Sequence, residues 1–183
     1  MVAEAILEIF RTDISSYALD SCLSLLDSKD LLRVRRLDGL ARRRFVASRA
    51  FRRRVLGPDV EILTDENGRP TVKGNSVFFS ISHTGDVLVM ALDAHPVGID
   101  AEMMKPRNFA KLSSWFFGES IPECEAFYRH WTRFEAGLKL AGLPLFSKNV
   151  PTPKHLHSEA MGNFMLSLAS NHGLRLPLSI RRM

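Results

Sequence analysis

Residues 76–102 read SVFFSISHTGDVLVMALDAHPVGIDAE, and this stretch decides the fold class. It contains three runs rich in apolar and β-branched residues, which predict strands over Ser76–His83, Val87–Leu92 and Val97–Glu102. Two short turn-forming segments, residues 84–86 and 93–96, separate the runs. The middle of the chain is therefore predicted to be consecutive strands.

Helices and strands are predicted on both sides of this stretch, in the same order. Before it, helical spacing and a turn-rich segment predict two helices and a hairpin, over 15–26, 38–56 and 60–72. After it, the patterns predict two helices and two strands, over 110–117, 126–141, 164–168 and 174–180. Helices followed by strands, twice over, predict an α+β chain of two similar halves, which we divide into residues 1–94 and 95–183.

The composition is that of an ordinary globular protein of 183 residues. No apolar run is long enough to span a membrane. Residues 1–10 have neither a basic region before their apolar stretch nor a small-residue cleavage site, so no secretory signal is predicted. Cys22 and Cys124 lie too far apart in sequence to indicate a disulfide framework or a zinc site. We therefore expect a cytoplasmic protein.

The positive charge of the chain is concentrated in one segment. Between Arg33 and Arg54 there are ten arginines and one acid, Asp38, within a chain of formal net charge +5. Such a block attracts phosphates, whether of nucleic acid, anionic lipid or a phosphorylated cofactor. It is equally compatible with a solvated helix face that binds nothing.

Two carboxylates lie at the end of the third predicted strand. Residues two apart on a strand point to the same face, so Asp100 and Glu102 are expected to project together. A hard cation such as Mg²⁺ relieves the repulsion between neighbouring carboxylates. The alternative is an ordinary strand end with two solvated acids.

Three further residues share one face of the helix predicted over 126–141. Trp131, Glu135 and Lys139 are spaced four apart, and the Glu–Lys pair is by itself compatible with a surface ion pair of roughly 0.2–0.5 kcal/mol. Ser82 and His83 fall at the end of a strand, where side chains can reach a ligand. They do not indicate a serine hydrolase, because neighbours on a strand face opposite ways and no G-x-S-x-G elbow is present.

Taken together and in order, these motifs resemble those of the surfactin-type 4′-phosphopantetheinyl transferases. No single motif is diagnostic, and the resemblance rests on their order and separations over about residues 33–142. The matching segments are Gly68–Pro70, Phe79–Thr84, Val97–Glu102, Phe116–Phe117 and Trp131–Gly142.

The resemblance implies a fold of two pseudo-symmetric halves, each a small antiparallel sheet packed with helices, with coenzyme A bound in the cleft between them. It implies an enzyme that transfers 4′-phosphopantetheine from coenzyme A to a serine of an apo acyl or peptidyl carrier protein. The reaction would release 3′,5′-ADP and depend on Mg²⁺. Each half contributes to the site, so a monomer would be complete.

The resemblance also assigns roles to residues of the metal site. Asp100, Glu102 and Glu135 would hold Mg²⁺ against the pyrophosphate. Glu135 would also take the proton of the attacking serine, directly or through a water. Lys139, one turn further along the helix, would contact the pyrophosphate and stabilise the leaving phosphate.

Four more residues are expected to bind coenzyme A. Ser82 and His83 would contact the nucleotide phosphates, with His83 near the 3′-phosphate. Arg44 and Arg69 lie where the family places basic residues around that phosphate.

The sequence departs from the family at Phe134, where lysine is usual. Arg133 is a poor substitute because neighbouring helical residues point about 100° apart. This departure leaves open a relative that binds coenzyme A without transferring it.

Two alternatives concern the arginine-rich segment. A nucleic-acid-binding protein would use residues 33–54, but the acids at the predicted metal site would repel a polyanion, so we expect no nucleic-acid partner. The same segment could guide an acidic carrier protein, with Arg49 and Arg52 as contacts.

Overall fold

A computed structural model describes residues 7–74, 77–145, 147, 149–174 and 176–183 of the chain. Within these residues there are five α-helices: α1 (Leu19–Cys22), α2 (Ser28–Val34), α3 (Gly39–Leu56), α4 (Phe109–Phe117) and α5 (Cys124–Ala141). The strands of the first part are β1 (Glu8–Asp13), β2 (Ile62–Thr64), β3 (Pro70–Val72), β4 (Phe78–Thr84) and β5 (Val87–Asp93). The later strands are β6 (Val97–Met103), β7 (His155–Met161), β8 (Phe164–Ser170) and β9 (Ile180–Arg182).

The strands form three small sheets. The first has the order β4-β5-β1-β9, the second is the β2-β3 hairpin, and the third has the order β6-β8-β7. All pairings are antiparallel except that of β9, which runs parallel to β1. The chain therefore ends in the sheet where it began. This mixed architecture agrees with the α+β prediction.

The two larger sheets lie against each other, with a long helix on the outer side of each. Along β5, Leu88 and Met90 join the core cluster that contains the buried side of α3. Val89 and Ala91, on the opposite face, join a second cluster with residues of β6 and β8. Because strand side chains alternate between faces, one strand supplies both clusters.

Helix α5 lies close against β6. A Cβ atom at Gly98 would come within 2.0 Å of the Ala136 carbonyl oxygen and 2.6 Å of the Leu140 nitrogen. Both contacts are with helix backbone, which cannot rotate away as a side chain can. The absence of a side chain at Gly98 therefore sets the distance between β6 and α5.

Side-chain hydroxyls join the edge strands β4 and β6. Three oxygens on one face of β4 accept hydrogen bonds from alternate backbone N–H groups of β6. The pairs are Ser80–Ile99 at 3.0 Å, Ser82–Ala101 at 3.3 Å and Thr84–Met103 at 2.5 Å. These side-chain bonds connect the first sheet to the third, since β4 and β6 do not pair through backbone hydrogen bonds.

The predicted middle strands, the hairpin and the helices over 38–56 and 126–141 are confirmed. The helix predicted over 15–26 is confirmed only in part, since α1 runs directly into the 3₁₀ helix Leu23–Leu25 and Ile14–Ser16 forms a separate 3₁₀ turn. The apolar residues of this segment fill the core under α3 from successive turns, which mimics helical spacing in the sequence. The last strand lies at Ile180–Arg182 rather than over 174–180.

None of the helices in the described ranges is long and apolar enough to cross a membrane.

Candidate active site

The alternation of β6 turns two carboxylates toward α5. Ile99 and Ala101 are buried in the cluster between the sheets, so the residues beside them point the other way. Asp100 and Glu102 therefore lie on the face of β6 that meets the helix, as Gly98 does. The expectation that the two acids project together agrees with this geometry.

Helix α5 brings a third carboxylate to the same place. One oxygen each from Asp100, Glu102 and Glu135 lie within 4.8 Å of one another. Lys139, one turn after Glu135, reaches Asp100 with its ammonium group. Gly142 then takes a left-handed conformation, with φ of 68°, and ends the helix at the site.

The hydrogen bonds of Asp100 leave one of its oxygens free. The residue is 1% exposed, and its Oδ1 accepts from Ser82 Oγ at 2.7 Å and from Lys139 Nζ at 2.6 Å. Its buried Oδ2 has no hydrogen-bond partner among the described residues. A buried carboxylate oxygen without a partner is costly unless a cation meets it. Together with two neighbouring carboxylates, this oxygen makes a donor set suited to Mg²⁺.

The carboxylates perturb one another. Burial, followed by the charge of Asp100, raises the pKa of Glu135 to about 7. The same two causes raise the pKa of Glu102. Both shifts show that the site accommodates three negative charges poorly unless positive charge is present, and Lys139 offsets only part of the repulsion.

A cavity of about 310 Å³ opens beside the carboxylates. Its walls come from the hairpin and β4 on one side and from the end of α5 on the other: Gly68–Pro70, Phe79–Ile81, Glu135, Leu138, Lys139 and Gly142–Leu145. Asn67 Nδ2 donates to the Gly142 carbonyl oxygen at 3.0 Å, which ties the hairpin to the end of the helix. A ligand in this cavity would touch both Glu135 and Lys139.

The sequence is 35% identical over 135 residues to the 4′-phosphopantetheinyl transferase AcpT of Salmonella typhi, an alignment that covers 67% of this chain and 70% of that protein. The chain belongs to the 4′-phosphopantetheinyl transferase family. The transferase is also 29% identical over 179 residues to Sfp of Bacillus subtilis (strain 168), covering 90% of this chain and 75% of Sfp. It is 37% identical over 89 residues to psf-1 of Bacillus pumilus, covering 43% of this chain and 38% of psf-1. No family model matches the sequence. The resemblance to the Sfp-like enzymes is thus confirmed.

Of the predicted coenzyme A ligands, His83 of the transferase lies near enough to Arg44, Lys139 and Asp100 to be affected by their charges. Partial loss of hydration, followed by the charges of Arg44 and Lys139, lowers the pKa of His83. Arg44 also donates to the Gly85 carbonyl oxygen at 3.5 Å, at the turn after β4. Ser82 is only 7% exposed, and its hydroxyl donates to Asp100. The coenzyme A contacts of these residues stay predictions.

Arg69 lies in the wall of the cavity that Lys139 also lines. Its Nη1 donates to the Leu140 carbonyl oxygen at 3.4 Å. Burial lowers the pKa of its guanidinium. The role of Arg69 also stays a prediction.

Two arginines of the arginine-rich segment are paired with an acid of α2. Asp30 pairs with Arg49 at 2.9 Å and with Arg52 at 4.0 Å, and Arg52 is only 6% exposed. Arg33 and Arg49 also stack over the ring of Phe45. Asp30 of α2 thus already pairs with both Arg49 and Arg52, and their predicted role in guiding an acidic carrier stays a prediction.

Phe134 points away from the carboxylates. Its ring meets Phe117 edge-on with centroids 5.8 Å apart and lies 6.4 Å from the ring of Trp131. It lines a different cavity from that of Glu135 and Lys139. Phenylalanine at this position thus extends an aromatic cluster and leaves the walls of the first cavity unchanged.

Sequence reasoning missed the hydroxyls that surround the site. Only Ser82 of the three on β4 was predicted to have a role, and Thr84 Oγ1 lies 3.5 Å from Glu102 Oε2. A usable signal was present, because Ser80, Ser82 and Thr84 alternate along one strand. Small hydroxyls at every second position of a buried strand indicate a polar partner on that face.

Proposed function

We propose that the transferase moves 4′-phosphopantetheine from coenzyme A to a serine of an acidic apo carrier protein and releases 3′,5′-ADP in a Mg²⁺-dependent reaction. The observation that carries this proposal is the meeting of Asp100, Glu102 and Glu135 within 4.8 Å, with Lys139 and an open cavity beside them. Three acids from two elements gather in this way only at a cost, and binding a cation with a phosphate ligand offsets it.

The three carboxylates would hold Mg²⁺, with the unpartnered Oδ2 of Asp100 as one ligand. The bound ion would supply positive charge to the phosphate oxygens of the substrate. Lys139, whose ammonium group contacts Asp100, would also bind the same phosphates. Glu135 belongs to this set through α5, and Asp100 and Glu102 belong to it through β6.

Coenzyme A would lie between the two sides of the site. It carries a pyrophosphate and a 3′-phosphate, so it needs several cations beyond the metal. Arg44, His83 and Arg69 would contact the phosphates of the nucleotide, and Ser82 would lie beside them. The proposed site lies in a cleft between two pseudo-symmetric halves, residues 1–94 and 95–183, of which the second lends β9 to the first sheet.

In the proposed reaction, the carrier serine attacks the phosphorus bonded to the pantetheine oxygen. A new phosphorus–oxygen bond to serine forms as the bond to the bridging pyrophosphate oxygen breaks, and its electrons leave with 3′,5′-ADP. The serine proton would pass to Glu135, directly or through a water. Lys139 would steady the charge on the departing phosphate.

A coenzyme A-binding relative without transferase activity is the alternative suggested by Phe134. The position of that ring, in the aromatic cluster and outside the cavity of Glu135, favours the active enzyme. Nucleic-acid binding through residues 33–54 is less favoured, since Asp30 already engages Arg49 and Arg52. We place the active enzyme in the cytoplasm as a monomer.

The test is mass spectrometry of apo acyl, peptidyl and aryl carrier proteins after incubation with the transferase, coenzyme A and Mg²⁺. A phosphopantetheine adduct should appear and should disappear with EDTA or with Glu135→Ala. Glu66→Ala, which removes an exposed acid from the hairpin turn, is the matched control and should leave the adduct intact. Coenzyme A binding without an adduct on any carrier would favour the inactive relative. Nucleic-acid binding that weakens with salt, without either an adduct or coenzyme A binding, would favour a nucleic-acid-binding protein.

A further inference from the structure

The seam between β4 and β6 is built from hydroxyls. The edge of a sheet presents unpaired N–H groups, and those of β6 are met by Ser80, Ser82 and Thr84 instead of by a neighbouring backbone. All three residues are buried, with exposures of 5–7%. A hydroxyl that accepts such a bond keeps its own proton to donate. Each hydroxyl of the seam can therefore also donate a hydrogen bond to a neighbouring acceptor.

The three hydroxyls differ in where that proton goes. Ser82 Oγ donates to Asp100 Oδ1 at 2.7 Å. Thr84 Oγ1 lies 3.5 Å from Glu102 Oε2, at the limit of a hydrogen bond. Ser80 donates to no carboxylate among the described residues. Two of the hydroxyls therefore reach the predicted metal ligands, and that of Ser80, which also lines the cavity, does not.

We propose that Ser82, assisted by Thr84, is a positioning residue that holds the β6 carboxylates in the orientation required to bind a divalent cation. Oδ1 of Asp100 is held from β4 by Ser82 and from α5 by Lys139, which prevents rotation of the carboxylate. Oδ2 is thereby left without a partner. Hydrogen bonds of this kind to metal ligands commonly decide metal affinity.

This role rests on the metal site proposed above, and it differs from a contact between Ser82 and the nucleotide. The Ser82 hydroxyl has a single proton, which the structure places toward Asp100. If Ser82 orients Asp100, its loss weakens cation binding even without coenzyme A. If Ser82 instead contacts a nucleotide phosphate, its loss weakens coenzyme A binding and leaves cation binding unchanged.

The experiment measures Mn²⁺ binding by calorimetry, without coenzyme A, in the full chain and in matched variants. Ser82→Ala removes a seam bond and a carboxylate bond, whereas Ser80→Ala removes a seam bond only. Ser82→Ala is expected to raise the Mn²⁺ dissociation constant roughly tenfold, in the range typical of lost partners of metal ligands. Ser80→Ala should leave it unchanged. Urea unfolding of each variant measures the loss of the seam bond separately.

Two variants of Thr84 repeat the comparison with little change in the shape of the side chain. Thr84→Val keeps the branched side chain without the hydroxyl and should weaken Mn²⁺ binding less than Ser82→Ala does. Thr84→Ser keeps the hydroxyl and should bind like the natural protein. In the transfer assay, Ser82→Ala should raise the Mg²⁺ concentration for half-maximal rate more than it lowers the rate at saturating Mg²⁺.

Equal Mn²⁺ affinity in Ser82→Ala and Ser80→Ala would overturn the positioning role. Coenzyme A affinity lost from Ser82→Ala with Mn²⁺ affinity unchanged would also overturn it, in favour of the nucleotide contact. No Mn²⁺ binding by the natural protein would overturn it together with the metal site. A failure of transfer to every carrier tested would count against the proposed reaction, while the Mn²⁺ comparison would still decide the role of Ser82.

Discussion

At the scale of single residues, the site is held in an unfavourable charge state. Glu135 has its pKa raised from that of an ordinary carboxyl to about 7, because it is buried and lies beside Asp100. An acid with a raised pKa binds more protons in the folded state than in the unfolded one. The folded state is therefore progressively destabilised as pH rises from about 4.5 to about 7, and the full cost is present above that range.

Replacing this acid should stabilise the metal-free protein. Glu135→Gln is expected to raise the melting temperature at about pH 8 in EDTA by roughly 2–4 °C, which corresponds to about 1 kcal/mol in a chain of this size. The gain should vanish at about pH 4, because residue 135 is then uncharged in the folded natural protein as well as in the variant. Calorimetry at the two pH values measures it, with Glu66→Gln as an exposed control. A melting temperature that falls at the higher pH would contradict the cause given for the pKa.

At the scale of elements, the contact of α5 with β6 determines which carboxylates meet. Asp100 and Glu102 come from the strand, and Glu135 and Lys139 come from the helix. Their alignment depends on the close approach of α5 to β6 at Gly98. There, backbone atoms of the helix occupy the space that a Cβ atom would need. The same approach thus contributes to stability and to the geometry of the site.

Two glycines on this contact should respond in opposite ways to alanine. Gly98→Ala places a methyl group against the Ala136 carbonyl and should destabilise the protein by about 3 kcal/mol or more. It should also weaken Mn²⁺ binding. A Cβ at Gly137, in the middle of α5, meets only side-chain atoms of Pro153 and Val150 at 3.7–3.9 Å. Gly137→Ala should stabilise by about 0.5–1 kcal/mol because alanine favours the helix.

Urea unfolding of both variants measures these changes in the free energy of unfolding. A tolerated Gly98→Ala with unchanged Mn²⁺ affinity would show that α5 can move away from β6 without affecting the carboxylates. Destabilisation by Gly137→Ala would show instead that the segment with Val150 and Pro153 packs more tightly on α5 than the distances indicate.

At the scale of the whole molecule, four layers stack in the order α3, first sheet, third sheet, α5. The carboxylate cluster lies between the last two layers, and all of its members come from one chain. The cavity beside it is lined by the hairpin as well as by α5, so elements distant in sequence meet there. A single chain therefore contains all three carboxylates of the proposed metal site.

The specific activity per chain should therefore not change on dilution, which would reduce it if a partner copy completed the site. Activity measured over a wide range of protein concentration tests this. Mixing Asp100→Ala with Glu135→Ala is the matching control. Neither variant should regain activity in the mixture, because both changes affect the cluster of one chain. Recovery on mixing would show that the site is shared between chains.

Much of this protein is determined by local sequence patterns. The strands of residues 76–102, helices α3 and α5, and the shared face of Asp100 and Glu102 follow from the periods of strand and helix. The order of the motifs in the sequence also identifies the family. Each of these features depends on residues that lie within a few positions of one another or at recurring separations.

Only the tertiary structure decided the remainder. It showed that residues 14–25 form turns and a short helix, that β1 pairs with β5 and β9, and that Asp30 covers Arg49 and Arg52. It also showed that Ser82 donates to Asp100 across the seam between two sheets. These features depend on which distant segments share a surface. Periodicity within a segment can determine its buried face, but the partner of that face is selected by packing and hydrogen bonding across the whole chain.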